Sequence, residues 1–366
     1  PNRSRMTPYT GGLFAAYREK YREDLCLPAV YYRRTGETEN ETAARYIDVL
    51  DDLFTRNFAG KYAAWCKEHG IVFTGHILHE DSLSIQTSLS GSMMRFYEYM
   101  DFPGIDNLTA HNNCYPAVIQ CASAARQLGK PFVLSELYGC TGWDMPLSEF
   151  KRIGDWQALF GVNLRCPHLS WYTMEGEAKR DYPTSILHQN SWYKDWNGLE
   201  TYFARIGIVL SEGERHADVL VIHPVERMWR LVRRGWMDVF DPKDGAVSAM
   251  DEAFRLQCER LIGSQREFDY GDEELLQKHG SVGRDEEGAF LMVGRAKYRN
   301  VLLAEGQAVR PHTREMLERF AAAGGRVVRE AEELPAQGVL SAPQGIASAV
   351  RLFGGDIWLF LLNLRE

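Results

Sequence analysis

From residue 41 onward apolar side chains recur every three or four positions: Tyr46, Val49, Leu50, Leu53, Phe54, Phe58, Tyr62, Trp65 and Cys66. That spacing places them on one side of a long helix, and His69-Gly70 supplies its stop. The period then changes. Ile71-Val72-Phe73-Thr74-Gly75-His76 reads as a strand whose end is polar, at His79, Glu80 and Asp81. Beyond it the pattern alternates: helix over 92–100, short strand over 104–108, helix over 116–128, strand over 131–136, helix over 146–160, strand over 162–171. Upstream, 11–24 reads as a short amphipathic helix and 25–32 as a brief apolar strand or turn.

Strict alternation of helix and strand, with charged or aromatic groups at successive strand ends, argues for a parallel β/α barrel over an open sheet. Only about four or five strands precede Arg215, whereas such a barrel needs about eight. Residues 1–212 are therefore expected to be the C-terminal part of a TIM-type (β/α)8 barrel. A second unit, 213–335, carries a buried-type strand at 218–224, a helix at 249–262, a strand at 299–304, a helix at 312–323 closed by Gly324-Gly325, and a third strand from Arg326. It reads as a flavodoxin-like, doubly wound α/β domain. Residues 350–363 alternate around Gly354-Gly355 as a hairpin, so 336–366 is expected to open a β-rich domain. The chain begins at Pro1 and ends in a strand, and both ends read as cut.

Composition narrows the partners. With 42 Lys and Arg against 50 Asp and Glu, the net charge of -8 leaves no surplus to neutralise phosphates, which argues against nucleic acid. No apolar run approaches the ~20 residues that cross a bilayer. The seven cysteines fall in no paired metal spacing and cannot all pair, which favours a reducing compartment and a cytoplasmic location. A leader preceding Pro1 would change that expectation.

The chemistry is expected at the strand ends. In Val133-Leu134-Ser135-Glu136-Leu137-Tyr138-Gly139 an apolar strand leads straight into a carboxylate and then a loop, where parallel α/β folds place catalytic groups. Glu136 is the leading catalytic candidate, and Glu80 is the reserve. A charged strand end paired with an Arg is the bland reading. Period two sends Val72, Thr74 and His76 to one face, so His76 is expected at the pocket mouth with Glu80 just beyond. A zinc site of His76, His79 and Glu80 is disfavoured, since an odd separation on a strand sends the two His to opposite faces and no metal-ligand spacing is present.

His111 and Asn112 end the next strand and could bind hydroxyls, although an Asx-rich turn needs no function. Tyr138, Trp143, His168 and Trp171 complete the candidate substrate-binding set. Aromatic faces suit the axial C–H surface of a sugar, and imidazoles suit its hydroxyls. Trp171 reads equally as core packing. No phosphate loop is present, so a nucleotide cofactor is unsupported. An amidotransferase reading of the second unit fails for want of a thiol, because Cys258 lies on a helix and Ala304-Glu305-Gly306 stands where a nucleophile elbow would be.

Phe73-Thr74-Gly75-His76, the run from Val133 to Trp143, Ile153-Gly154-Asp155-Trp156-Gln157 and His168-Leu169-Ser170-Trp171-Tyr172 resemble large bacterial glycoside hydrolases of the α-L-rhamnosidase type, family 106 and its unclassified relatives. The resemblance extends through Val221-Ile222-His223-Pro224 and Phe268-Asp269-Tyr270-Gly271. It implies a TIM-barrel glycosidase followed by an amidotransferase-like α/β domain and β-sandwich domains, acting on a carbohydrate. It also implies that Glu136 is the strand-seven partner carboxylate, that the general acid lies upstream of Pro1, and that calcium could assist, without assigning calcium ligands here. A non-catalytic carbohydrate-binding or structural fragment of such an enzyme is the alternative.

Overall fold

The computed structural model describes residues 8–32, 37–109, 113–171, 173, 175–176, 182, 186–233, 245–335, 343 and 345–364. Strands β1 (Thr74–Gly75), β2 (Phe102–Asn107), β3 (Leu134–Leu137) and β4 (Leu164–Pro167) hydrogen-bond in that order, and all are parallel. Helices cross over between them, as parallel neighbours require: Leu83–Leu89 and Met93–Tyr97, then Tyr115–Leu128, then Leu147–Phe160. The sheet curls into an open half-barrel. Among the described strands β1 and β4 each have one neighbour.

Three expectations are corrected. The strand expected at 71–76 shrinks to Thr74–Gly75, where Gly75 pairs with Pro103, a residue with no N–H to extend the ladder, and Ile71 and Val72 are left about half exposed. Residues Leu27–Tyr31 form a helical turn, because Pro28 sits in the first turn, where a missing N–H costs nothing. The long helix runs as Glu41–Phe54, a π-helical turn Thr55–Ala59, and Gly60–Glu68. At that turn Thr55 Oγ1 donates to the Asp51 carbonyl at 2.8 Å, inserting a side chain into the backbone ladder. Its start is fixed by Asn40, whose side chain accepts from Ala43 N.

A short strand, β5 (Glu214–Arg215), precedes β6 (Val219–Ile222) and β7 (Phe268–Gly271). An antiparallel ribbon follows, made of β8 (Gly280–Asp285), β9 (Gly288–Val293) and β10 (Ala296–Tyr298). Then come β11 (Asn300–Leu302) and β12 (Arg326–Val328). The second sheet is parallel in the order β12-β11-β6-β7, and β6 and β7 are buried along their whole length, as a parallel sheet covered on both faces must be. The ribbon is an addition to the expected doubly wound pattern. Finally β13 (Ile346–Phe353) and β14 (Asp356–Asn363) form a hairpin that turns at Gly354-Gly355, and β5 pairs with β13.

The half-barrel and the second sheet share one core. Helix Tyr115–Leu128 lies against β7, where Gln127 donates to the Tyr270 carbonyl at 2.8 Å and Ser123 Oγ accepts from Tyr270 N at 2.9 Å. A second tie is ionic. Buried Arg95 reaches Asp48 at 2.9 Å, Asp51 at 3.1 Å, Glu226 at 2.5 Å and Asp272 at 3.1 Å, joining helix Glu41–Phe54 to the ends of β6 and β7. Arg310 adds contacts to Asp48 and Glu226 at 2.6 and 2.8 Å. One buried guanidinium is tolerated here because carboxylates surround it.

Candidate active site

The pleat aims the central carboxylate. On β3, Ser135 and Leu137 are fully buried, and Leu137 packs with Phe150 and Ile153 of the covering helix. Period two then turns Glu136 to the concave side. On β2, Ile105 and Asn107 are buried in the same way, so Asp106 shares that side. Parallel register sets Asp106 opposite Glu136, and Glu136 opposite Cys166.

Each oxygen of Glu136 meets an imidazole. Oε2 lies 3.1 Å from His76 Nε2, and Oε1 lies 3.3 Å from His168 Nε2. His76 also stands 3.9 Å from Asp106 and 3.7 Å from Glu80. Burial works against a charged His76, but the bond to Glu136 and the nearby Glu80 and Asp106 outweigh it and hold the imidazolium up to about 11. The bond from His76 in turn holds Glu136 below the usual carboxylate range, against partial burial. Burial pushes Asp106 the other way, helped by the charge of Glu136 and opposed by His76. Adjacent carboxyls are thus driven apart.

The remaining predicted residues are placed as follows. Glu80 is buried, its two oxygens find no hydrogen-bond partner among the described residues, and burial raises it to about 7, so its route to the concave face is through His76. Tyr138 does not reach the concave face beside Glu136: it is fully buried, with φ of 76°, edge-on to Phe150 and Trp196. Trp143 is partly exposed and meets the buried Trp171 edge-on, with centroids 5.4 Å apart. Trp171 therefore backs Trp143 as packing. His111 and Asn112 lie outside the described residues. Gly139 permits the close approach of His168, since a Cβ there would come within 3.0 Å of its Nδ1. Sequence reasoning missed Asp106; the signal available was a carboxylate inside the short apolar run 104–108, at the same strand depth as Glu136.

His79 turns toward Asp81 at 3.9 Å and does not join His76. Among the described residues His76, Asp106 and Glu136 form the group close enough to surround a cation, their nearest atoms lying within 4.8 Å of one another. The donor set does not fit calcium, which takes about six to eight oxygens.

No family model matches the chain. A curated protein of Formosa agariphila, named "Putative beta-glucuronidase", is 25% identical over 204 residues, which are 53% of this chain and 16% of that protein. Among solved structures, a rhamnosidase from Novosphingobium sp. PP1Y superposes with a TM-score of 0.67 at 16% identity, covering 97% of this chain and 38% of that one. A catalytic mutant of Gan42B, a GH42 β-galactosidase from G. stearothermophilus, gives 0.53 at 11% identity over 95% of this chain and 53% of that one. The likeness to these structures is one of fold, and this chain spans less than two thirds of each of these proteins.

Proposed function

We propose that the chain carries the strand-seven side of a glycoside hydrolase active site, with Glu136 as the ionised partner that acts on water or on the anomeric carbon. The observation that carries this reading is the clamping of Glu136 between His76 and His168 at the end of a parallel strand, with an aromatic pair beside the same loop. Glycoside cleavage needs one carboxyl kept ionised and one kept protonated. Glu136 suits the first task. The names of the similar proteins, a rhamnosidase, β-galactosidases and a "Putative beta-glucuronidase", support the reaction class.

If Glu136 acts on water, the protonated acid is assigned to a group outside the described residues. Glu80 is too deeply buried to touch a substrate. Asp106 stands within 4.8 Å of Glu136, closer than the roughly 6.5–9.5 Å that leaves room for an attacking water between inverting carboxyls but near the roughly 5–5.5 Å of a retaining pair, so it is the acid candidate if Glu136 acts on the anomeric carbon. A neutral sugar such as an α-L-rhamnoside suits this acidic cluster better than a uronide, because among the described residues three carboxylates and no Lys or Arg pair around His76. Calcium would need oxygen ligands beyond these three side chains.

The test uses a glycoside whose leaving group departs without protonation, a dinitrophenyl α-L-rhamnoside first, with the β-galactoside and β-glucuronide alongside. Glu136→Gln is expected to lower turnover by about two to four decades while circular dichroism is unchanged. Turnover at the unsubstituted rate would remove Glu136 from the chemistry. Saturable sugar binding with no turnover of any activated glycoside would favour the non-catalytic reading.

A further inference from the structure

At the opposite end of the half-barrel from Glu136 lies a cavity of about 850 Å³, where the entrances of β3 and β4 meet β5, the antiparallel ribbon and β13. Its charge runs against that of the chain. Seven of its lining residues are Lys or Arg and three are Asp or Glu, in a protein of net charge -8.

The pairing inside it does not balance. Arg126, Arg215 and Arg351 share two buried carboxylates: Arg215 reaches Glu267 at 2.8 Å and Asp269 at 3.1 Å, Arg126 holds Asp269, and Arg351 stands 3.7 Å from Glu267. Three guanidiniums face two acids. Arg351 is nine-tenths buried or more, and it spends its Nε and Nη1 on the carbonyls of Leu210 and Val350. Burial and the neighbouring cations draw it down to about 10, despite Glu267. Four further cations border the space, and of these Lys297 and Arg299 pair with Asp285. Lys130 Nζ donates to the Glu98 carbonyl, and the Arg295 side chain crosses Gly129, where a Cβ would fall 2.5 Å from its Nε.

We propose that this cavity binds a tetrahedral oxyanion, a phosphate or phosphate-ester group, across Arg351, Arg295 and Lys130. A forked guanidinium with N–H groups to spare matches such oxygens in geometry as well as charge. The surplus of one positive charge, held where water is restricted, is what an anion would neutralise. Its ligand would bridge the half-barrel, the ribbon and β13, which all contribute to the wall.

The probe is inorganic phosphate titrated into the full chain at constant ionic strength, followed by calorimetry and ³¹P NMR, with a phosphorylated monosaccharide as the second arm. Saturable binding at one site per chain is expected, weakened at least tenfold in Arg295→Ala and Lys130→Ala. Both variants should fold normally, since neither side chain holds a carboxylate in the described structure. Tighter binding of the sugar phosphate identifies an ester ligand, and equal binding identifies the free ion. Binding that does not saturate, or that survives both substitutions unchanged, overturns the site. Arg351→Met is the stricter variant, and where it fails to fold the two exposed-side variants decide.

Discussion

Asp106 and Glu136 face each other in the register of β2 and β3, yet their carboxyls are shifted in opposite directions. The difference is one hydrogen bond: His76 approaches Glu136 to 3.1 Å and Asp106 only to 3.9 Å. Burial, with the charge of Glu136 beside it, raises Asp106, while Glu136 keeps its charge. Asp106 thus takes up its proton before Glu136 does, and replacing it by Asn leaves the charge beside Glu136 unchanged where Glu136 titrates. The acidic limb of kcat/KM is expected to stay in place, with the plateau kept within about tenfold. A pH–rate profile checks this, and a loss of more than about two decades at the plateau would mark Asp106 as a proton donor in its own right.

His76→Gln tests the other half of the relation. Without the imidazolium, Glu136 returns toward the ordinary range, so the acidic limb should move up in pH. The stability change has a definite sign as well. His76 is held at about 11 in the folded chain against 6.5 for a free imidazole. Its ionic contacts thus stabilise fully below about pH 6.5 and fade as pH rises through 11. Urea unfolding of the variant should show its largest deficit near pH 6 and a shrinking one at pH 9; a deficit that grew with pH would reverse the argument.

Trp143→Ala addresses the proposed sugar wall. Trp143 is partly exposed and is braced edge-on by Trp171, so truncation removes a flat apolar face without opening the core. KM should rise about tenfold with kcat little changed, the pattern expected when binding is lost equally in ground and transition states. A fall in kcat at constant KM would place Trp143 nearer the reacting atoms.

Much of this was legible in the chain itself. Alternating periods marked the parallel strands, and the step from Val133-Leu134 to Glu136 marked the carboxylate that the fold puts among His76 and His168. What was illegible is non-local. Tyr138 follows Glu136 and looks like a pocket residue, but its left-handed backbone turns the ring into the packing of Phe150 and Trp196. Asp106 draws its importance from register with a strand 30 residues later, which no local pattern encodes. The ribbon 280–298 pairs antiparallel inside a parallel unit, and its alternation was too short to separate from loops.

The buried tie at Arg95 yields a prediction about the fold alone. Arg95→Met leaves Asp48, Asp51, Glu226 and Asp272 without their central cation, and removing one member of a buried ionic set costs about 3–5 kcal/mol. Within that set Asp51 is the odd member. Burial, with Asp272 and Asp48 nearby, lifts it to about 8 in spite of Arg95. The folded chain therefore keeps a proton that the unfolded chain releases near pH 4, so this group makes stability fall as pH rises from about 4 to 8. Asp51→Asn abolishes that slope while it can still accept from Arg95. Relative to the unsubstituted chain, the variant should gain stability between pH 5 and pH 8 in urea unfolding. If its relative stability is flat over the same interval, Asp51 is ionised in the folded chain and Arg95 counters four charges, not three.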